Sequence, residues 1–85
     1  MISGLFRLSF PTQEAVKVAA RDCRARAFTV EIGQDAAGWH VLARRRDAFP
    51  ASECERYAGR LRGIALANDG TYDWFRQDEP ADVTS

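Results

Sequence analysis

The most direct route from this sequence to catalysis runs through His40, its single histidine. An imidazole works as a general acid or base only with a hydroxyl or carboxylate in hydrogen-bond reach, and Ser9 and Asp73 are the residues that neighbouring strands would bring beside it. The same residues also read as the polar side of a sheet, and they imply no particular substrate. Cys23 and Cys54 lie far apart, in no CxxC pair and with no histidine nearby, which is neither a zinc pattern nor a disulfide framework. Both fall on apolar stripes and read as small buried hydrophobes. The acids show no calcium-loop spacing and no glycine-rich phosphate loop precedes a helical stretch, so no metal and no other cofactor is expected.

The signals for binding are stronger. Arg44-Arg45-Arg46 is the sharpest cluster of cations, and guanidiniums at a strand end suit phosphates or an acidic peptide, although a solvated strand terminus looks the same. In Gly70-Thr71-Tyr72-Asp73-Trp74 two aromatics flank an acid. Tyr72 and Trp74 read as core anchors or as recognition residues, with Asp73 facing solvent or bonded to Arg7 or Arg76.

These residues sit in a chain of 85 residues, 46% hydrophobic and 28% charged, which is the composition of one small globular domain and excludes a two-domain enzyme. Twelve basic and twelve acidic residues cancel, so the overall field gives no reason for strong capture by nucleic acid or an anionic membrane. The distribution is uneven, with an arginine-rich body and an acidic end in which Arg76 is the last cation. The opening residues lack the pattern of a signal peptide, and no apolar run approaches the roughly 20 residues needed to span a bilayer. A cytoplasmic protein without a membrane segment is the expectation.

Period-two alternation in Gly4 to Phe10 predicts a first strand with Phe6, Leu8 and Phe10 buried. Pro11-Thr12 breaks it and offers a helix N-cap, after which Val16, Ala19, Ala20, Cys23 and Ala27 recur at helical spacing while Lys17, Arg21 and Arg24 share the outer face. Phe28, Val30 and Ile32 mark a second strand, Gly33 to Gly38 a hairpin connection, and Trp39, Val41 and Ala43 the inward side of a third strand whose other side carries His40, Leu42 and Arg44. Ser52-Glu53-Cys54-Glu55 predicts a capping box opening a second helix, with Gly59 and Gly63 reserved for close approach of a neighbouring element. Asn68-Asp69-Gly70 closes that helix, and Tyr72 and Trp74 are expected inward on a last strand, opposite Thr71, Asp73 and Phe75.

The order βαββαβ is that of an α+β, ferredoxin-like sandwich, a four-stranded antiparallel sheet with two helices on one face. A single domain over residues 1–76 is followed by an acidic, flexible tail over 77–85. RNA-recognition domains of this topology stack bases on aromatics of the open face, whereas the alternation here sends Phe6 and Trp39 inward.

With these elements in place, residues 5 to 76 resemble the regulator of ribonuclease activity B family, the RraB-type ribonuclease E inhibitors. The likeness lies in an opening strand, an alanine-rich helix, a hairpin whose second arm begins Gly38-Trp39, and Gly70-Thr71-Tyr72-Asp73-Trp74 in place of the family's G-x-Y-D-G-W strand. No glycine separates Asp73 and Trp74, and the sequence as read opens directly at the first strand, so the family's acidic N-terminal extension is not expected here. The resemblance implies a non-catalytic regulator of RNA turnover that docks on a protein partner, a ribonuclease among the candidates. The partner-binding residues are then expected to be Tyr72, Asp73, Trp74, Arg44, Arg45, Arg46 and His40. The alternative is a small module for RNA or single-stranded nucleic acid using the open face and Arg44 to Arg46. A homodimer formed through an edge strand is a further option.

Overall fold

Alternation and breakers place the elements nearly where the sequence puts them. The computed structural model describes residues 1–78 as β1 (Gly4–Phe10), α1 (Gln13–Ala25), β2 (Phe28–Asp35), β3 (Gly38–Arg45), α2 (Cys54–Ala67) and β4 (Thr71–Gln77). The sheet runs β2-β3-β1-β4 with every neighbouring pair antiparallel, which is the ferredoxin-like arrangement. α1 lies over β2 and β3, and α2 over β1 and β4. Phe6 and Leu8 of β1, Val16 and Cys23 of α1, Val41 of β3 and Leu61 of α2 are fully buried where the two layers meet. Burying such a side chain contributes about 1.5–3 kcal/mol. Burial also pushes the Cys23 thiol up to about 11, which keeps it protonated and inert. No helix among the described residues is long and apolar enough to cross a membrane.

The ends of the elements show which local signals were used. Thr12 caps α1, its Oγ1 accepting from the Ala15 amide at 3.1 Å. The expected capping box at Ser52 does not form: a 3-10 turn, Ala51–Glu53, leads into α2, whose N-cap Glu53 makes no side-chain cap bond. That turn is set by Phe49, which is buried and bridged to Ile2 by reciprocal backbone bonds of 2.7 and 2.8 Å, so tertiary anchoring replaces the local cap. The hairpin is tighter than the sequence suggests, with β2 continuing to Asp35 and only Ala36 and Ala37 left to turn, their geometry held by Asp35 Oδ1 accepting from the Ala37 amide at 2.9 Å. Gly59 and Gly63 meet no neighbouring element: among the described residues nothing outside their own helix lies within 4 Å of the space a side chain would occupy at either. The start expected for the tail also shifts, since β4 includes Gln77 and Asp78 is tied back to Ser3, its amide donating to the Ser3 carbonyl at 2.8 Å. The remainder of the expected tail, 79–85, lies outside the described residues.

Beyond the end of α1 and its C-cap Arg26, Ala27 holds φ 68, a left-handed conformation that its Cβ disfavours by about 1–2 kcal/mol. Ala27→Gly is therefore expected to stabilise the fold by about 0.5–1 kcal/mol, the relief of that strain less the extra freedom glycine gives the unfolded chain. Urea denaturation checks it; a midpoint unchanged or lowered would contradict the strain argument.

Candidate functional site

The face of the sheet away from the helices collects the polar side chains of all four strands. β1 contributes Leu5, Arg7 and Ser9, and these pair across β3 with Arg44, Leu42 and His40. β2 adds Thr29, Glu31, Gly33 and Asp35, the last two near the turn. The contribution of β4 differs from simple alternation. Phe6 pairs with Phe75 and Arg7 with Trp74, but Leu8 pairs with Tyr72, so the register shifts by one residue between Arg7 and Leu8. Asp73 is the extra residue of a β-bulge. Tyr72 therefore faces the helices as expected, whereas Trp74 turns onto the open face and Phe75 turns into the core, the reverse of the expected orientation of both.

Two interactions account for the bulge. Phe75 reaches the core beside Phe6, with ring centroids 4.6 Å apart, and its ring covers Gly4 on the neighbouring strand. On the other face Asp73 Oδ2 accepts from Arg7 Nε at 3.1 Å and from the Ser9 hydroxyl. A regular strand would have left Phe75 in solvent and buried Trp74, whose indole N–H then needs a partner. As it is, the half-buried Trp74 ring lies under the Arg76 guanidinium, 4.9 Å from its centroid, in cation-π geometry.

From Asp73 a chain of charges crosses the face. Arg7 binds Asp73 on one side and Asp35 on the other, its Nη2 3.2 Å from Asp35 Oδ2. Asp35 in turn stands 3.8 Å from His40 Nδ1. The Asp35 carboxyl is held below its ordinary value of 3.8, first by the Ala37 amide and next by Arg7. The stability this confers is present above the ordinary carboxylate range and is lost as the pH falls through the lowered value. His40 stacks on Gly33, its cross-strand partner, so closely that a side chain there would displace the imidazole. His40 Nδ1 is buried and makes no hydrogen bond to another described residue. Ser9 and His40 are cross-strand neighbours, yet the Ser9 hydroxyl donates to Asp73 and not to the imidazole. Among the described residues no group of three potential metal ligands forms.

The three consecutive arginines do not make one patch. Arg44 lies on the open face and pairs with Asp78. Arg45 points the other way, its guanidinium 4.6 Å from the Tyr57 ring centroid and 5.4 Å from that of Phe28, and its Nη1 donates to the Arg26 carbonyl at 3.0 Å, closing the end of α1. Arg46 is exposed beyond the strand. Tyr72 is likewise on the helix side, under Arg62 at 5.4 Å, and burial pushes its phenol above the ordinary range. Of the expected binding residues, the open face thus brings together Asp73, Trp74, Arg44 and His40, with Tyr72, Arg45 and Arg46 elsewhere. It also recruits Asp35 and Asp78, which sequence reading left out, and Arg76, which entered there only as a candidate partner of Asp73 and here covers Trp74 instead. An aspartate opening a hairpin turn was the available signal for Asp35; Asp78 lay hidden in what reads as a tail.

Arg7, Arg44 and Arg76 on this face stand against Glu31, Asp35, Asp73 and Asp78, so it carries no excess of positive charge. Comparison of the chain with protein-family models, with curated proteins and with solved structures finds no match.

Proposed function

We propose that this chain is a non-catalytic regulator that acts in the cytoplasm by docking on a protein, with the open face of the sheet around Trp74 as the docking surface. The observation that carries the reading is the bulge at Asp73, which takes a large ring out of the core and holds it against Arg76 on a face where Arg7 pairs with Asp35 and Asp73, and Arg44 with Asp78. Tryptophan and arginine are the residue types that dominate protein interfaces energetically, and a surface with no net positive charge suits a mixed-charge protein better than a phosphate backbone. The Ser9 hydroxyl donates to Asp73, which ties both side chains into the charged network of this face.

The bulge also bears on the resemblance to RraB-type inhibitors. In G-x-Y-D-G-W the Tyr and Trp are three residues apart, and on a regular strand they point to opposite faces. Here they are two apart, and the extra residue in the register puts Tyr72 and Trp74 on opposite faces as well. This likeness is the ground for proposing a ribonuclease as the partner.

The test is surface plasmon resonance with purified ribonuclease E. The wild-type chain is expected to bind, and Trp74→Ala to weaken binding at least about ten-fold, as removal of a central aromatic anchor does. An intact chain that fails to bind would remove the ribonuclease from the proposal. Retention on single-stranded RNA that falls with salt and with Trp74→Ala would replace it with the nucleic-acid reading.

A further inference from the structure

We propose that the free edge of β2, overhung by α1, takes an extended acidic peptide from a protein partner as a fifth strand of the sheet. This inference does not depend on the open-face reading, since it uses a different surface and different residues.

The two sheet edges differ in how open they are. β4 is interrupted by the Asp73 bulge, a device that spoils an edge as a template for pairing. β2 runs all 8 residues in unbroken register with β3, contains no proline or lysine, and has no strand on its outer edge among the described residues. On its helix-facing side Val30 is half-buried and Ile32 is 40% exposed, so this edge offers apolar contact as well as hydrogen bonds.

Charge then selects the occupant. Arg24 of α1 and Arg46 beyond β3 line one depression with Ala27, Phe28, Thr29 and Val30. Arg21 and Lys17, exposed three and seven residues before Arg24, extend that row of cations along the same side of α1. The opposite flank of the helix, with Asp22 and Arg26, looks toward α2, where both share a depression with Gly59, Arg60 and Gly63. None of Lys17, Arg21, Arg24 and Arg46 forms an ion pair with another described residue. A strand added about 4.8 Å beyond β2 would lay every second side chain beneath these cations, where acids are favoured. Its other side chains would lie beside Glu31 and Asp35 on the open face, where acids are disfavoured. A second copy of the chain fits poorly, because antiparallel pairing of β2 with itself sets the cation row of one α1 against the same row of the other.

The probe is a peptide of alternating threonine and glutamate as long as β2, titrated into the full chain while amide hydrogen exchange of residues 28–35 is followed. Binding with slowed exchange in β2 is expected, and Arg24→Glu or Lys17→Glu should each weaken it at least about ten-fold. A counterpart with glutamine in place of glutamate should bind at least about ten-fold more weakly. Methylating the amides of either the threonines or the glutamates should abolish binding in one case and spare it in the other, because successive amides of a strand point to opposite edges. Trp74→Ala should leave the affinity unchanged, which separates this site from the open face. Equal binding of both peptides, equal effects of the two methylations, indifference to Arg24→Glu and Lys17→Glu, or no binding at all would overturn the proposal. So would protection of β2 that rises with protein concentration alone, which would give the edge to a second copy.

Discussion

Replacing Phe6 by alanine is expected to lower the free energy of unfolding by about 3–5 kcal/mol, the cost of deleting a buried aromatic and leaving its cavity. Phe6 sits mid-strand in β1 with no exposed surface, and its ring centroid lies 4.6 Å from that of Phe75, 6.0 Å from Phe28 and 6.4 Å from Phe49. Those rings come from β4, β2 and the segment before α2, so the cavity would open where three parts of the fold meet and no single element can close it. A domain of this size has a net stability of about 5–10 kcal/mol, of which the substitution would remove a large share. Urea denaturation followed by tryptophan fluorescence measures it. A loss below about 1.5 kcal/mol would mean that the neighbouring rings repack to fill the space.

Gly4→Ala is expected to be nearly as damaging although it adds one methyl group. Gly4 is buried at the start of β1, and a Cβ there would overlap the Arg76 carbonyl oxygen and come within 2.7 Å of the Phe75 ring. The oxygen belongs to the paired strand and cannot rotate away, so β1 and β4 would have to separate locally. Overpacking of this kind typically costs about 1–3 kcal/mol, and the fixed backbone contact places this case at the upper end. The same denaturation measurement checks it, and amide exchange adds a local readout, with faster exchange expected in β4 than in β2. Tolerance of alanine would show that Phe75 does not hold its place over Gly4, and the account of the bulge would fall with it.

The bulge marks where local reading ended. Alternation in β1 and in the first half of β2 is unambiguous, because only one phase buries the aromatic and aliphatic residues without burying a charge. The βαββαβ order followed from those strands, two apolar helical stripes and the glycine and proline breakers between them, and so did the outward placement of Arg7, Ser9, His40 and Arg44. The capping-box motif was a local signal too, but it was overridden by Phe49, whose burial and pairing with Ile2 position the entry to α2. The room at Gly59 and Gly63 likewise depended on where α1 came to lie.

β4 had a sequence that no regular strand could satisfy. Tyr72, Trp74 and Phe75 crowd three aromatic rings into four residues, and any regular strand exposes at least one of them. The choice was made by residues far away in the chain: Gly4 leaves room for Phe75, Phe6 packs against it, and Arg7 and Ser9 hold the carboxylate of the displaced Asp73. The sequence by itself settled the order of the elements and the inward side of three strands, because the side chains of a single strand are enough to decide which of its sides avoids water. The exposure of Trp74 was decided by tertiary structure, because a bulge belongs to a pair of strands and its stabilising contacts exist only once β1 and β4 are side by side.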